Sequence, residues 1–143
     1  MQKYKELIIL IAEDDDGHAD LIREGLDNSG ICNSIVRFRN GQEIWNFLSG
    51  SGEAVMRDPA KSYLVLLDIN MPVMDGYEVL QKIKSHDSLR DIPVIMLTTT
   101  DDPREVEQCY KLGCNMYIVK PVDFNKFSET LLRLGLFLQI VKI

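Results

Sequence analysis

Residues 7–20 read LIILIAEDDDGHAD: six apolar residues, then four consecutive acids, Glu13, Asp14, Asp15 and Asp16. So apolar a run suits a strand covered on both faces, as in a parallel sheet. Four adjacent like charges repel one another. The strand therefore ends either in a solvated turn or at the edge of a cation site, and the choice depends on what other strands bring to the same rim.

Working outward, short apolar runs recur at 34–38 (SIVRF), 63–68 (YLVLLD), 93–98 (PVIMLT) and 116–120 (MYIVK). Amphipathic segments with local start signals lie between them. Asn40 precedes one, with Glu43 three residues on. Asp75 precedes another, with Glu78 at the capping-box position and Val79, Leu80 and Ile83 following. Asp102-Pro103-Arg104-Glu105 combines a cap, a first-turn proline and a capping-box acid. A last helix is expected from near Asp123, with Phe124, Phe127, Leu131, Leu134 and Leu138 on one stripe. Asp15 is placed to cap the first helix and Asp16 to sit in its first turn, where the helix dipole favours a carboxylate.

The order is (βα)5, which predicts an α/β fold: one doubly wound, parallel five-stranded sheet with helices on both faces. With 143 residues and no linker or repeat, residues 1–143 are expected to form a single domain. The stretch 49–62, SGSGEAVMRDPAKS, is longer than a usual connection and is expected to be a loop or to carry one extra turn.

A net charge of −6 argues against non-specific binding to nucleic acid or anionic membrane. No signal-like segment opens the chain, and its most apolar tail contains Arg133 and Gln139 and is too short to span a bilayer. Cys32, Cys109 and Cys114 have no zinc-ligand or redox-motif spacing, and their odd number fits a reducing compartment. A cytoplasmic protein is the expectation.

In open parallel sheets the ligand site lies at the carboxyl ends of the strands. Those ends carry Glu13 and Asp14, Asp68, Thr98 and Lys120. Like charges roughly 4 Å apart at an effective dielectric near 20 repel by about 4 kcal/mol, so three converging carboxylates call for a cation. Carboxylates, a carbonyl and waters suit Mg²⁺.

Four blocks, ILIAEDD, LLDINMPVMDG, PVIMLTT and YIVKP, closely resemble the signatures of response-regulator receiver domains of two-component systems, in the right order over nearly the whole chain. The resemblance implies the flavodoxin-like receiver fold, with Asp68 as phosphoacceptor. It implies that Glu13, Asp14, Asp68 and the backbone carbonyl of Asn70 hold Mg²⁺, and that Thr98, the Thr99 amide and Lys120 bind phosphoryl oxygens. Tyr117 matches the aromatic position that switches together with Thr98. Many receivers have aspartate where Glu13 stands, which leaves direct or water-mediated metal contact open. Asn70 and Thr100 match positions that tune loss of phosphate.

The function implied is a signalling switch rather than an enzyme. Its only chemistry would be self-catalysed transfer from a sensor histidine kinase to Asp68 and slow autodephosphorylation. A stand-alone receiver without an output module is expected to act through protein contacts, with a phosphorelay intermediate or phosphate sink as the alternative. The 49–62 connection and apolar tail loosely resemble single-domain receivers that partner phytochrome-type kinases. On the final helix, Leu132, Leu136, Phe137 and Ile140 form a second apolar face, expected to build a homodimer with the Asp102 helix and the Tyr117 strand. The plainer reading is a tail folded over its own domain.

Two other functions fit part of the pattern. A haloacid-dehalogenase-type phosphatase also uses a strand-end aspartate and Mg²⁺, but it needs an acid two residues later, where Asn70 stands. A degenerate receiver acting as a binding module is disfavoured by five chemically competent site positions. His18 and His86 are read as exposed helix residues, Trp45 as a packing residue, and Met71, Met74 and Met96 as fillers.

Overall fold

The structure, a computed structural model, describes residues 7–51 and 56–140. Five strands form one parallel sheet: β1 (Leu7–Ala12), β2 (Ile35–Phe38), β3 (Ser62–Leu67), β4 (Val94–Thr98) and β5 (Met116–Val119). They alternate with α1 (Asp16–Asn28), α2 (Gly41–Ser49), α3 (Gly76–Ser85), α4 (Pro103–Leu112) and α5 (Phe124–Ile140). The sheet order is β2-β1-β3-β4-β5. The chain thus reverses direction across the sheet beside β1 and β3, and the crevice of such a sheet opens there. The expected (βα)5 architecture is the one observed.

The continuous apolar runs are explained by burial on both sides. In register, Leu10 lies opposite Val36 on one side and Val65 on the other. Leu10, Ala12, Val65, Leu67, Val94 and Met96 face α2, α3 and α4 through Ile44, Leu48, Leu80 and Cys109. The alternate residues Ile9, Ile11, Leu64, Leu66, Ile95 and Leu97 face α1 and α5 through Ile22, Leu26, Phe127, Leu131, Leu134 and Leu138. Phe124 departs from the expected stripe: as the first residue of α5 it is 61% exposed, whereas Phe127 is buried.

Helix starts are set by short side chains. Asp15, Asn40, Asp75 and Asp102 each accept a first-turn backbone N–H at 2.9 Å, from His18, Glu43, Glu78 and Arg104 respectively. Asp123 does the same for α5, accepting from the Lys126 amide at 3.1 Å. Of the long connection, residues 52–55 lie outside the described residues. The rest is tied to the end of α2: the Arg57 amide donates to the Phe47 carbonyl at 2.8 Å and its Nε to the Leu48 carbonyl at 3.1 Å. Its described part is a loop with one tight turn, closed by the Lys61 amide on the Asp58 carbonyl.

The loop from β3 to α3 presses against the strand it leaves. The Gly76 amide donates to the Ile69 carbonyl at 2.8 Å, and a Cβ at Gly76 would stand 2.2 Å from the Asp68 carbonyl oxygen. Only glycine permits that approach. In the same loop Val73 adopts φ 68°, an unfavourable backbone for a β-branched residue, with its side chain 78% exposed.

Candidate functional site

Each carboxylate of the acidic rim stands at or just past the end of its strand. The Asp68 amide donates to the Ala12 carbonyl at 3.1 Å and the Glu13 amide to the Phe38 carbonyl at 3.0 Å, so sheet pairing carries one step beyond β3 and β1. Glu13, Asp14 and Asp68 each present an oxygen, all within 4.8 Å of one another. Glu13 and Asp68 are buried, while Asp14 is exposed. The cluster is therefore a rim with one open side.

Lys120 answers these charges from the position just past β5. Its buried ammonium donates to Glu13, to Asp68 Oδ2 at 3.0 Å, and across a 3.2 Å contact to Nδ1 of His18. Its amide donates to the Thr98 carbonyl at 2.7 Å, which fixes Lys120 beside the end of β4. Burial pushes the Glu13 carboxyl up to about 7; the hydrogen bond and charge of Lys120 oppose the rise, and the Asp68 charge adds to it.

Thr98 is fully buried, yet its Oγ1 has no hydrogen-bond partner. A buried hydroxyl left without a partner costs free energy, so its retention at a strand end points to a ligand it could bond. Thr99 is exposed and lines a pocket of about 300 Å³ with His18, Lys120, Val122 and Phe124. The Asn70 amide donates to Asp68 Oδ1 at 3.3 Å. Tyr117 is half-buried, and its hydroxyl donates to the Thr100 carbonyl at 2.6 Å. Burial raises that phenol to about 12.

The structure thus brings Glu13, Asp14, Asp68 and Lys120 into one cluster, with Asn70 hydrogen-bonded to it and Thr98 backbone-paired to Lys120. The donor set is oxygen throughout, two of the three carboxylates are sunk below the surface, and a buried hydroxyl waits unpaired. That chemistry fits a hard divalent cation and an anionic group.

Two contributors were not anticipated. His18, read as an exposed helix residue, reaches Lys120 because α1 starts directly over the rim. Arg37 on β2 donates from Nε and Nη2 to the Glu13 carbonyl at 3.0 and 2.8 Å, and from Nη1 to Asp16 at 2.6 Å. Arg39 joins it on Asp16 at 2.7 Å, and together the two guanidiniums hold the Asp16 carboxyl below its usual range. An arginine in the middle of the strand-like run SIVRF was the available signal.

Elsewhere the plainer readings fit the packing. Trp45 is half-buried, with the Lys82 ammonium 5.4 Å from its ring centre and His86 at its edge. Met71, Met74 and Met96 are buried in the core. On α5, Leu132, Leu136 and Phe137 are 39%, 51% and 42% exposed, whereas the side chain of Ile140 lies outside the described residues. No helix among the described residues is long and apolar enough to cross a membrane.

Comparison with known proteins agrees with this geometry. The model of the response regulator receiver domain matches residues 9–132. Response regulator Rcp1 of Synechocystis is 36% identical over 113 residues, covering 79% of this chain and 76% of that protein. The crystal structure of a receiver domain from Rhodospirillum rubrum superposes with a TM-score of 0.88 at 38% identity, covering 95% of this chain and 96% of that one. The phosphorylated cyanobacterial phytochrome response regulator RcpA does so with a TM-score of 0.82 at 33% identity, covering 96% of each chain. In fold, in the residues at its strand ends and in its relatives, this chain belongs to the response regulator receiver domains.

Proposed function

We propose that this receiver takes a phosphoryl group from a sensor histidine kinase onto Asp68 and signals through protein contacts. The observation that carries the proposal is the placement of Asp68: Oδ2 is 3.0 Å from the Lys120 ammonium, and the carboxylate lies within 4.8 Å of Glu13 and Asp14. In the transfer, the phosphorus–nitrogen bond of a phosphohistidine breaks as an Asp68 oxygen bonds to phosphorus. The imidazole leaves with the electron pair and is free to take up a proton.

Glu13, Asp14, Asp68 and the Asn70 carbonyl would hold Mg²⁺, which when bound offsets negative charge on the phosphoryl oxygens. Lys120, already within 3.0 Å of Asp68 Oδ2, would supply a second positive charge. Thr98, with its free hydroxyl, and the Thr99 amide would donate to the remaining oxygens. The group adds about −1.5 to −2 charge at one point. That is enough to draw the Thr98 hydroxyl toward it and release space that Tyr117 can enter. Loss of phosphate would be slow and self-catalysed, with Asn70 and Thr100 tuning it.

The relatives include phytochrome response regulators, which favours a phytochrome-type kinase as partner. Residues 1–143 would act as one receiver domain in the cytoplasm. The exposed apolar residues Leu132, Leu136 and Phe137 of α5, together with α4 and β5, would pair two copies. The phosphatase rival lacks its acid at Asn70, and no comparison favours it. Incubation with acetyl phosphate and Mg²⁺, followed by intact-mass measurement, tests the proposal. A phosphoryl mass gain that vanishes in Asp68→Asn is expected; no gain in the parent protein would refute it.

A further inference from the structure

We infer that His18 is a positioning residue for Lys120, holding the ammonium toward the phosphoryl site through a contact for which neither metal nor phosphoryl group competes. The inference rests on the phosphoacceptor reading of Asp68. A lysine ammonium has three N–H bonds and no acceptor. Here its three partners are Glu13, Asp68 Oδ2 and His18 Nδ1.

Loading the site draws on the first two. Glu13 and Asp68 belong to the proposed metal set, and Asp68 is also the group that becomes phosphorylated. Once those carboxylates are engaged, Lys120 keeps one partner of its resting arrangement. That partner is His18, which leaves the other N–H bonds free to turn to phosphoryl oxygen. Because lysine only donates, the contact requires the His18 proton on Nε2 and the lone pair on Nδ1.

The imidazole is held for this task from two sides. Its ring stacks on Phe127 of α5, with centroids 6.1 Å apart and planes 30° from parallel, and Phe127 is itself buried. Its backbone amide donates to the Asp15 cap at 2.9 Å, fixing the first turn of α1. The side chain is 40% exposed, so the contact adds little to stability, and its effect lies in where it aims Lys120.

The test compares the parent protein with His18→Phe, which keeps the stack and removes the acceptor, and His18→Asn, which restores an acceptor near Nδ1. Phosphorylation by acetyl phosphate at saturating Mg²⁺ is timed by intact mass, and Mg²⁺ affinity is measured by calorimetry. His18→Phe is expected to be phosphorylated about tenfold more slowly, the scale of one lost hydrogen bond to a charged group. His18→Asn should recover most of that rate, with Mg²⁺ affinity unchanged in both. His18→Leu replaces the phenylalanine variant if that one fails to fold by circular dichroism. A parental rate in His18→Phe, equal slowing in His18→Asn, or a parallel loss of Mg²⁺ affinity would each overturn the inference. A parent protein that takes up no phosphoryl group removes the phosphoacceptor reading, and this inference with it.

Discussion

Lys120 and Glu13 stand 107 residues apart in sequence yet form a buried ion pair, and the same ammonium lies 3.0 Å from Asp68. One cation thus compensates two buried carboxylates. Removing it takes from both the ammonium they share, leaving only the Asp15 amide on Glu13 and the Asn70 amide on Asp68, a change that costs about 3–5 kcal/mol in typical buried pairs. Lys120→Met should fall at the low end of that range in metal-free protein, because Glu13 can take up a proton instead of remaining charged. Added Mg²⁺ supplies a replacement cation and should recover part of the loss. Urea unfolding with and without Mg²⁺ checks this; an identical deficit in both would contradict it.

Metal affinity should depend on pH through Glu13. Its carboxyl is raised from 4.5 to about 7, chiefly by burial. The folded protein therefore keeps this proton to a higher pH than the unfolded chain does. The stabilising contribution is full below the unfolded value and is lost as pH rises through the folded one. A divalent cation needs the ionised form, so metal-free stability from this group should fall across that window while Mg²⁺ affinity rises. Calorimetric titrations at pH values on either side of 7 should show the rise, and Glu13→Gln should flatten it.

Arg37 and Arg39 both reach Asp16, but only Arg37 also grips the Glu13 carbonyl, and it is far the more buried of the two. Arg37→Ala should therefore cost about 2 kcal/mol, the scale of lost hydrogen bonds from a charged donor, and should weaken Mg²⁺ binding by loosening the turn that carries Glu13 and Asp14. Arg39→Ala should change neither by a measurable amount. Equal effects of the two substitutions in thermal unfolding and Mg²⁺ titration would contradict this division.

What was legible in the sequence was local or periodic. Asp15, Asn40, Asp75 and Asp102 announce their helices because capping involves residues only two or three apart. Continuous apolar runs announced strands buried on both faces. A parallel sheet then gathers every carboxyl end on one rim, which is why Glu13, Asp14, Asp68 and Lys120 could be expected together. Contacts that depend on how elements lie over one another were not legible. His18 meets Lys120 only because the first turn of α1 comes beside the residue that follows β5. Arg37 meets Asp16 only because β2 runs beside β1 in a particular register. Phe124 fits the helical period but stands exposed at the very start of α5, and period alone does not encode that.

Thr98 separates stability from function most cleanly. Its Oγ1 is fully buried and unpaired, so the resting protein carries a desolvated hydroxyl with nothing to bond. Valine has the same shape without that oxygen. Thr98→Val should therefore stabilise the unphosphorylated protein by about 1 kcal/mol, since the cost of an unsatisfied buried polar group is removed. The same change deletes the hydroxyl assigned to the phosphoryl oxygens. It should slow phosphorylation by acetyl phosphate and shrink the Mg²⁺-dependent stabilisation of the phosphorylated form. Chemical denaturation and intact-mass time courses on the one variant read both effects. A destabilised Thr98→Val protein would mean that the hydroxyl already has a partner in the resting state, and the signal for an anionic ligand would be lost.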